Sequence, residues 1–223
     1  WTLQLIPYSY TFVKILFVKI VDEGQEHQQF YVTASELAHN TQSVYDRIDQ
    51  LFQTAKTEYR DIFDTTDLLN ISSKTLSFIV SKLQYVNLTN DSNDASGLAF
   101  QKFLSHYEKE GRGQFFTPQP VIDFCVKIIA PQKNETIIDP CCGSGGFLYS
   151  ALKYVQAEDQ DLDNASYISN NLYGVDINKD IAKIAKMKLM LESNITNNII
   201  CDNSLGDIDF LQLQINAHNT SRF

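Results

Sequence analysis

The sequence predicts an α/β protein in which an all-helical N-terminal domain precedes a partial Rossmann-like parallel sheet. Three observations carry that expectation. Segments of helical periodicity with recognisable caps fill the first ninety or so residues. A polar stretch, Asn87 to Ser96, then supplies Asn, Asp, Ser and Thr in place of core residues. Beyond it, short β-branched runs alternate with helical ones, and a glycine-rich turn follows the first run. The polar stretch places the boundary between residues 94 and 95, giving domains 1–94 and 95–223.

Tyr10 to Val21 has apolar residues on most sides of a helix. Thr33 and Glu36 form a capping box ahead of a long helical segment running to about Phe63. Ser72 caps a further helix whose Leu76, Ile79, Val80 and Leu83 share one face. In the second domain, Leu98 to Glu110 reads as a helix closed by Gly111. Thr117 and Pro118 supply the cap and first turn of another, running to about Ile129. Thr136 to Asp139 is a short strand, Gly145 to Val155 a helix, and Leu172 to Asp176 a second strand. Asn178 caps a helix to Glu192, and Asn198 to Asp202 is a third strand. This order is the first half of a doubly wound parallel sheet.

Hydrophobic residues make up 43% and charged residues 20% of the 223, which is the composition of a folded globular chain, not a disordered one. The apolar run from Phe12 to Val21 is broken by Lys14 and Lys19 and is too short to span a bilayer. The four cysteines, Cys125, Cys141, Cys142 and Cys201, form no Cys-x-x-Cys pair, so no metal site is expected and the setting is read as reducing and cytoplasmic. A formal charge of -9 opposes strong attraction to phosphate, so any grip on nucleic acid is expected to lie elsewhere.

Chemistry concentrates in Asp139-Pro140-Cys141-Cys142-Gly143-Ser144-Gly145-Gly146-Phe147, at the exit of the first strand. Ligands of open α/β sheets bind outside the carboxyl ends of the strands. Glycines at 143, 145 and 146 allow a sharp turn and close approach of backbone to a ligand. The spacing is not Gly-x-Gly-x-x-Gly, and the Asp139 carboxylate suits a cationic ligand better than a pyrophosphate, which disfavours a dinucleotide-dependent oxidoreductase. Asp176, ending the second strand, is placed to accept ribose hydroxyls, and Asp202, after the third, to accept from an adenine amino group. Along the helix that follows Asn178, Lys179, Lys183 and Lys186 recur on one side; the readings are contact with phosphate and a solvated face, of which the solvated face is favoured.

Gly113-Gln114-Phe115-Phe116-Thr117-Pro118 and Asp139 to Leu148 resemble the two leading motifs of the N-6 adenine DNA methyltransferases, specifically the modification subunits of type I restriction systems and their fused relatives. The resemblance covers roughly Ala95 to Leu205, and the helices before it are similar to that family's N-terminal domain. It implies a class I S-adenosylmethionine-dependent methyltransferase fold with S-adenosyl-L-methionine as cofactor. Gln114, Phe115, Phe116, Thr117, Pro118 and Gln119 would wrap the methionine end, with amides at the helix start facing its carboxylate. Asp139 would meet the ammonium, with Pro140, Cys142, Gly143, Ser144, Gly145 and Gly146 lining the methionine moiety. Asp176 would hold the ribose, and Ile177, Asp202 and Asn203 the adenine. Cys141 and Cys142 are read as packing residues.

The resemblance also implies double-stranded DNA as substrate of the intact protein, with a specificity subunit or C-terminal recognition domain and a restriction subunit as partners, in the prokaryotic cytoplasm. The target adenine would be flipped from the duplex and its amino group activated by an Asn-Pro-Pro-aromatic motif. No such motif occurs; the last proline is Pro140. The chain is therefore expected to be a fragment with no catalytic residues of its own, inactive alone. The competing readings are methylation of RNA or protein and a non-catalytic assembly module; the position of Gln114 to Pro118 ahead of the glycine loop favours DNA, and cofactor affinity separates enzyme from module.

Overall fold

The computed structural model describes residues 6–60, 62–88, 117–193 and 198–206, with side chains from residue 10. The chain divides into two compact units, residues 1–113 and 114–223. The boundary expected at 94/95 and the helix expected over Leu98 to Glu110 lie outside the described residues.

The first unit contains four described helices, α1 (Ile6–Glu23), α2 (Ala34–His39), α3 (Thr41–Glu58) and α4 (Ser73–Leu83). Val13, Ile15, Leu16, Phe17 and Val18 are all buried, so α1 is enclosed around its circumference. The lysines that interrupt its apolar run are buried with it. Lys14 Nζ donates to the Leu68 carbonyl at 3.0 Å and lies 4.3 Å from the Tyr10 ring centroid. Lys19 pairs with Glu23 at 2.9 Å, and Glu23 also accepts the Leu88 amide at 2.8 Å. Buried charges are tolerated only with such partners. Edge-on contacts of Phe17 with Tyr59 and Phe63, and of Phe52 with Phe63, complete this core.

The Thr33–Glu36 capping box is present, but the helix it opens does not run to Phe63 as the periodicity predicts. Asn40 ends α2 and at once caps α3, accepting the Ser43 amide. An Asn side chain competes with the helical backbone for its amides, and here that competition outweighs an otherwise continuous apolar period. Ser72 caps α4 by accepting the Thr75 amide, and Leu76 and Val80 are buried.

The second unit holds α5 (Gln119–Ile129), β1 (Ile137–Asp139), α6 (Gly146–Glu158), α7 (Asn164–Asn171), β2 (Leu172–Asp176), α8 (Lys179–Met190) and β3 (Asn198–Cys201). The strands are parallel in the order β1-β2-β3, with Asp139 opposite Gly174 and Asp176 opposite Cys201. β2 is buried from Leu172 through Val175, as a central parallel strand requires. Leu148, Leu152, Val155, Ile168, Leu172, Ala185, Leu189 and Ile199 form the core between sheet and helices.

Three local expectations change here. Pro118, not Thr117, is the N-cap of α5, and the first-turn proline is Pro120. α7, capped by the Asp163 side chain, was not anticipated because its sequence, Asn-Ala-Ser-Tyr-Ile-Ser-Asn-Asn, is poor in helix formers; burial of Tyr167 and Ile168 holds it. Lys183 is buried, so the lysine-bearing side of α8 is not a uniformly solvated face. Among the described residues no helix is long and apolar enough to cross a membrane, and no cluster of His, Cys, Asp or Glu is placed to hold a metal ion.

Candidate cofactor-binding site

The carboxyl ends of the three strands and the loops that leave them form one edge of the second unit. Because Asp139 is opposite Gly174, Asp176 lies two residues further along β2 on the same face of the sheet. The loop after β1 continues the sheet's hydrogen bonding: the Cys142 amide donates to the Val175 carbonyl at 2.9 Å and the Gly143 amide to Asp176 Oδ2 at 3.0 Å. Gly143 and Gly145 have φ of 54° and 78°, so this turn needs residues without a Cβ at both positions.

The glycines of this loop also serve packing within the protein. A Cβ on Gly146 would stand 2.8 Å from Ile122 Cδ1 of α5, and one on Gly145 would stand 3.2 Å from the Ala185 Cβ of α8. These two glycines let α6 enter tightly between its neighbouring helices, a packing reason that stands beside the sharp turn and ligand access read from the sequence. Gly174 has the same role inside β2, where a Cβ would stand 2.6 Å from Ile199 Cδ1 and 2.8 Å from Leu148 Cδ1.

Asp139 is the electrostatic centre of the edge. Its Oδ1 accepts the Cys141 amide at 3.1 Å, while Oδ2 is buried with no hydrogen-bond partner among the described residues. Burial pushes its carboxyl above the ordinary range, the Cys141 amide opposes that, and the Asp176 carboxylate adds to it. A buried anionic oxygen in that state is suited to a cationic partner. No side chain caps α6, so the positive end of its dipole opens into the same loop.

Asp176 accepts the Gly143 amide through Oδ2 and the Asn178 amide through Oδ1, at 3.0 and 2.8 Å. A carboxylate offers about four acceptor sites, so each oxygen keeps one. Ile177 is 73% exposed and Leu205 93%, giving the edge two bare apolar side chains beyond β2 and β3. Asp202 is exposed, its amide bonded to the Asp176 carbonyl at 3.1 Å and its carboxylate to the Asn203 amide at 2.7 Å.

Cys142 is buried as expected, and burial with the nearby Asp139 and Asp176 carboxylates pushes its thiol up to about 12, which removes thiolate character near neutral pH. Cys141 departs from the packing reading: it is exposed, with Sγ 3.8 Å from Ser204 Oγ. Its place one residue past the turn at Pro140 points it away from the core side taken by Cys142. Gln114, Phe115 and Phe116 lie outside the described residues. Thr117, Pro118 and Gln119 are exposed at the start of α5. The amides expected there are fewer than the sequence suggests, because Pro120 has none and those of Val121 and Ile122 both donate to the Pro118 carbonyl. Gln119 also engages protein partners, donating to Asp123 Oδ1 at 2.7 Å and Ser150 Oγ at 2.8 Å. Asp123 and Ser150 were not among the expected site residues; the four-residue spacing of Gln119 and Asp123 on a helix is the signal that reveals half of this arrangement.

A glycine turn stitched to the next strand, with acidic side chains at successive strand ends, stands at the edge where open, Rossmann-like sheets bind their ligands. The chain belongs to the N-6 DNA Methylase family, whose model matches residues 91–217. It is similar to the type I restriction enzyme StySPI methylase subunit of Salmonella potsdam, 31% identical over 63% of this chain and 26% of that subunit. It is likewise similar to the EcoKI methylase subunit of Escherichia coli K12, 28% identical over 63% of this chain and 26% of the subunit. The chain thus spans about a quarter of the length of these relatives. Its fold is similar to that of a chain from a structure of complex assembly and conformational transition in the type I R-M system, with a TM-score of 0.66 at 18% identity over 92% of this chain and 47% of the other.

Proposed function

We propose that this chain supplies the S-adenosyl-L-methionine site of an adenine-specific DNA methyltransferase. The observation that carries the reading is the buried Oδ2 of Asp139, without a hydrogen-bond partner among the described residues, beside an uncapped helix start. An amino acid moiety presents an ammonium and a carboxylate together, and this loop offers an anion for one and helix amides for the other. Asp139 binds the ammonium; Gly143 to Gly146 line the methionine chain, with the α6 amides toward its carboxylate. Asp176 uses its remaining acceptor sites on the ribose hydroxyls. Ile177 covers the adenine face, and Asp202 with Asn203 meets its polar edge. When bound, the cofactor would supply an electrophilic sulfonium methyl group for in-line attack by the exocyclic amine of a flipped adenine, the neutral thioether leaving as the N–C bond forms and the amine giving up a proton.

The family membership and the naming of the relatives as methylase subunits of restriction enzymes support DNA as substrate of the whole protein. We further place a specificity subunit or recognition domain, and a restriction subunit, as its partners, because those relatives are subunits of larger enzymes. The domain boundary at 94/95 is supported by a family match beginning at residue 91, whereas the compact units divide at 113/114.

Calorimetric titration of the cofactor tests the site. Saturable binding is expected, weakened roughly tenfold to a hundredfold in Asp139→Asn, the worth of about one charge-assisted hydrogen bond. Equal affinity in the variant refutes the role of Asp139. The activity is tested on the intact protein with its partners, by mass spectrometry of DNA after incubation with the cofactor; modification confined to bases other than adenine overturns the substrate reading.

A further inference from the structure

We infer that Ser150 and Asp123 are positioning residues for cofactor binding: with Gln119 they form a closed hydrogen-bonded triangle that locks the entry of α5 onto α6. The inference rests on the cofactor reading above.

The triangle is complete within three side chains. Gln119 Nε2 donates to Asp123 Oδ1 at 2.7 Å and to Ser150 Oγ at 2.8 Å, and the Ser150 hydroxyl donates to the same Asp123 oxygen at 3.2 Å. Ser150 is buried, whereas Gln119 and Asp123 stand at the exposed rim, so the hydroxyl anchors the other two to the body of the unit. Two donors converge on one carboxylate oxygen, which fixes the direction of both bonds.

Its placement gives it leverage. Ser150 lies four residues after Gly146, one turn along the same face of α6 from the glycine loop. At that loop the missing Cβ of Gly146 admits Ile122 of α5. The two helices are therefore keyed at two heights, by a steric fit beside the loop and by hydrogen bonds one turn below. α5 has no side-chain cap hydrogen bond; its start is held by proline backbone geometry and by the Val121 and Ile122 amides on the Pro118 carbonyl, none of which ties it to α6. The triangle supplies that constraint from α6, the helix that also begins the cofactor loop. Displacing it moves the Thr117–Gln119 segment relative to Gly143–Gly146 without removing a group that touches the cofactor loop.

The test measures cofactor affinity, single-turnover methylation at saturating cofactor, and urea unfolding for the intact protein and its Ser150→Ala, Ser150→Thr and Asp123→Asn variants. Lys133→Ala, which breaks an exposed ion pair with Asp159 in the same unit, serves as control. Ser150→Ala is expected to raise the dissociation constant about fivefold, the worth of roughly one net hydrogen bond. The saturated rate stays within about twofold, since the reacting groups are untouched. Ser150→Thr restores affinity by returning the hydroxyl, Asp123→Asn falls between, and Lys133→Ala matches the wild type. Unchanged affinity in Ser150→Ala overturns the inference while leaving the cofactor reading intact. So does a loss that Ser150→Thr fails to repair or that tracks the unfolding midpoint alone. Absence of binding by the unmodified protein overturns the cofactor reading itself, and the positioning role with it.

Discussion

Gly174→Ala is the substitution that probes the second unit most directly. A methyl group on Gly174 would stand 2.6 Å from Ile199 Cδ1, 2.8 Å from Leu148 Cδ1 and 3.0 Å from Cys142 Sγ. Ordinary carbon contacts begin near 3.5 Å. All three neighbours are buried, so each must leave its rotamer or push the strand aside. Overpacking of a filled core costs about 1–3 kcal/mol, and three simultaneous contacts argue for the upper half of that range. Against this, Ala lowers the entropy of the unfolded chain by about 0.4–1 kcal/mol. The net expectation is a loss of about 2 kcal/mol. Ile199→Val removes the nearest methyl and alone costs about 1 kcal/mol. In the double variant the relieved clash makes the combined loss smaller than additive by about 1 kcal/mol. Urea unfolding followed by hydrogen exchange over residues 172–176 isolates this unit from the helical one. A neutral Gly174→Ala, or strict additivity with Ile199→Val, refutes the packing argument.

Gly145→Ala is expected to lose about 1–2 kcal/mol from its left-handed backbone, and since φ is 78° and Ala185 only crowds the site, Ala185→Gly should recover little of it in the same assay. Asn178→Ala removes a cap that accepts the Asp180 and Ile181 amides, and should cost about 1 kcal/mol with faster exchange in the first turn of α8. Asp139 holds its proton more tightly folded than unfolded, so its contribution to stability is present below the ordinary carboxylate range and is lost as pH rises through the folded value. Asp139→Asn should remove that part of the pH dependence of the melting temperature. Glu36 behaves oppositely: the Arg47 guanidinium and the Thr33 amide hold it at about 2, so its contribution is present above pH 4.5 and is lost as pH falls toward 2. Arg47→Ala should shrink that acid limb in a thermal melt taken across the same range.

Apart from α7, the order of elements in the second unit was legible because its signals are local: β-branched runs, the cap at Asn178, and a glycine turn at a strand exit. The break at Asn40 was not, since a capping residue inside a continuous apolar period looks like a tolerated helix interior until the backbone is seen to turn. α7 was hidden for the reverse reason, its stability coming from burial of Tyr167 and Ile168 and not from its own residues. At the site, the acids were readable from their places at strand ends. The reasons for the glycines were less so, because Ile122 and Ala185 are distant in sequence and only tertiary contact shows that they, and not a ligand alone, require a missing Cβ at 146 and 145. Ser150 was invisible on the same ground: nothing about a serine in mid-helix announces a partner thirty-one residues away.

The last two residues of β2 receive four backbone amides from three different loops, those of Cys142, Gly143, Asn178 and Asp202. The consequence is kinetic. A ligand arriving at this edge meets loops already fastened to a common post, so no segment among them has to order before contact is complete, and the intrinsic affinity is not divided by a small binding-competent fraction. Association should then be a single phase whose rate rises linearly with ligand concentration, the behaviour of a lock cut in advance. Differences in affinity among variants of this edge should appear in the rate of release.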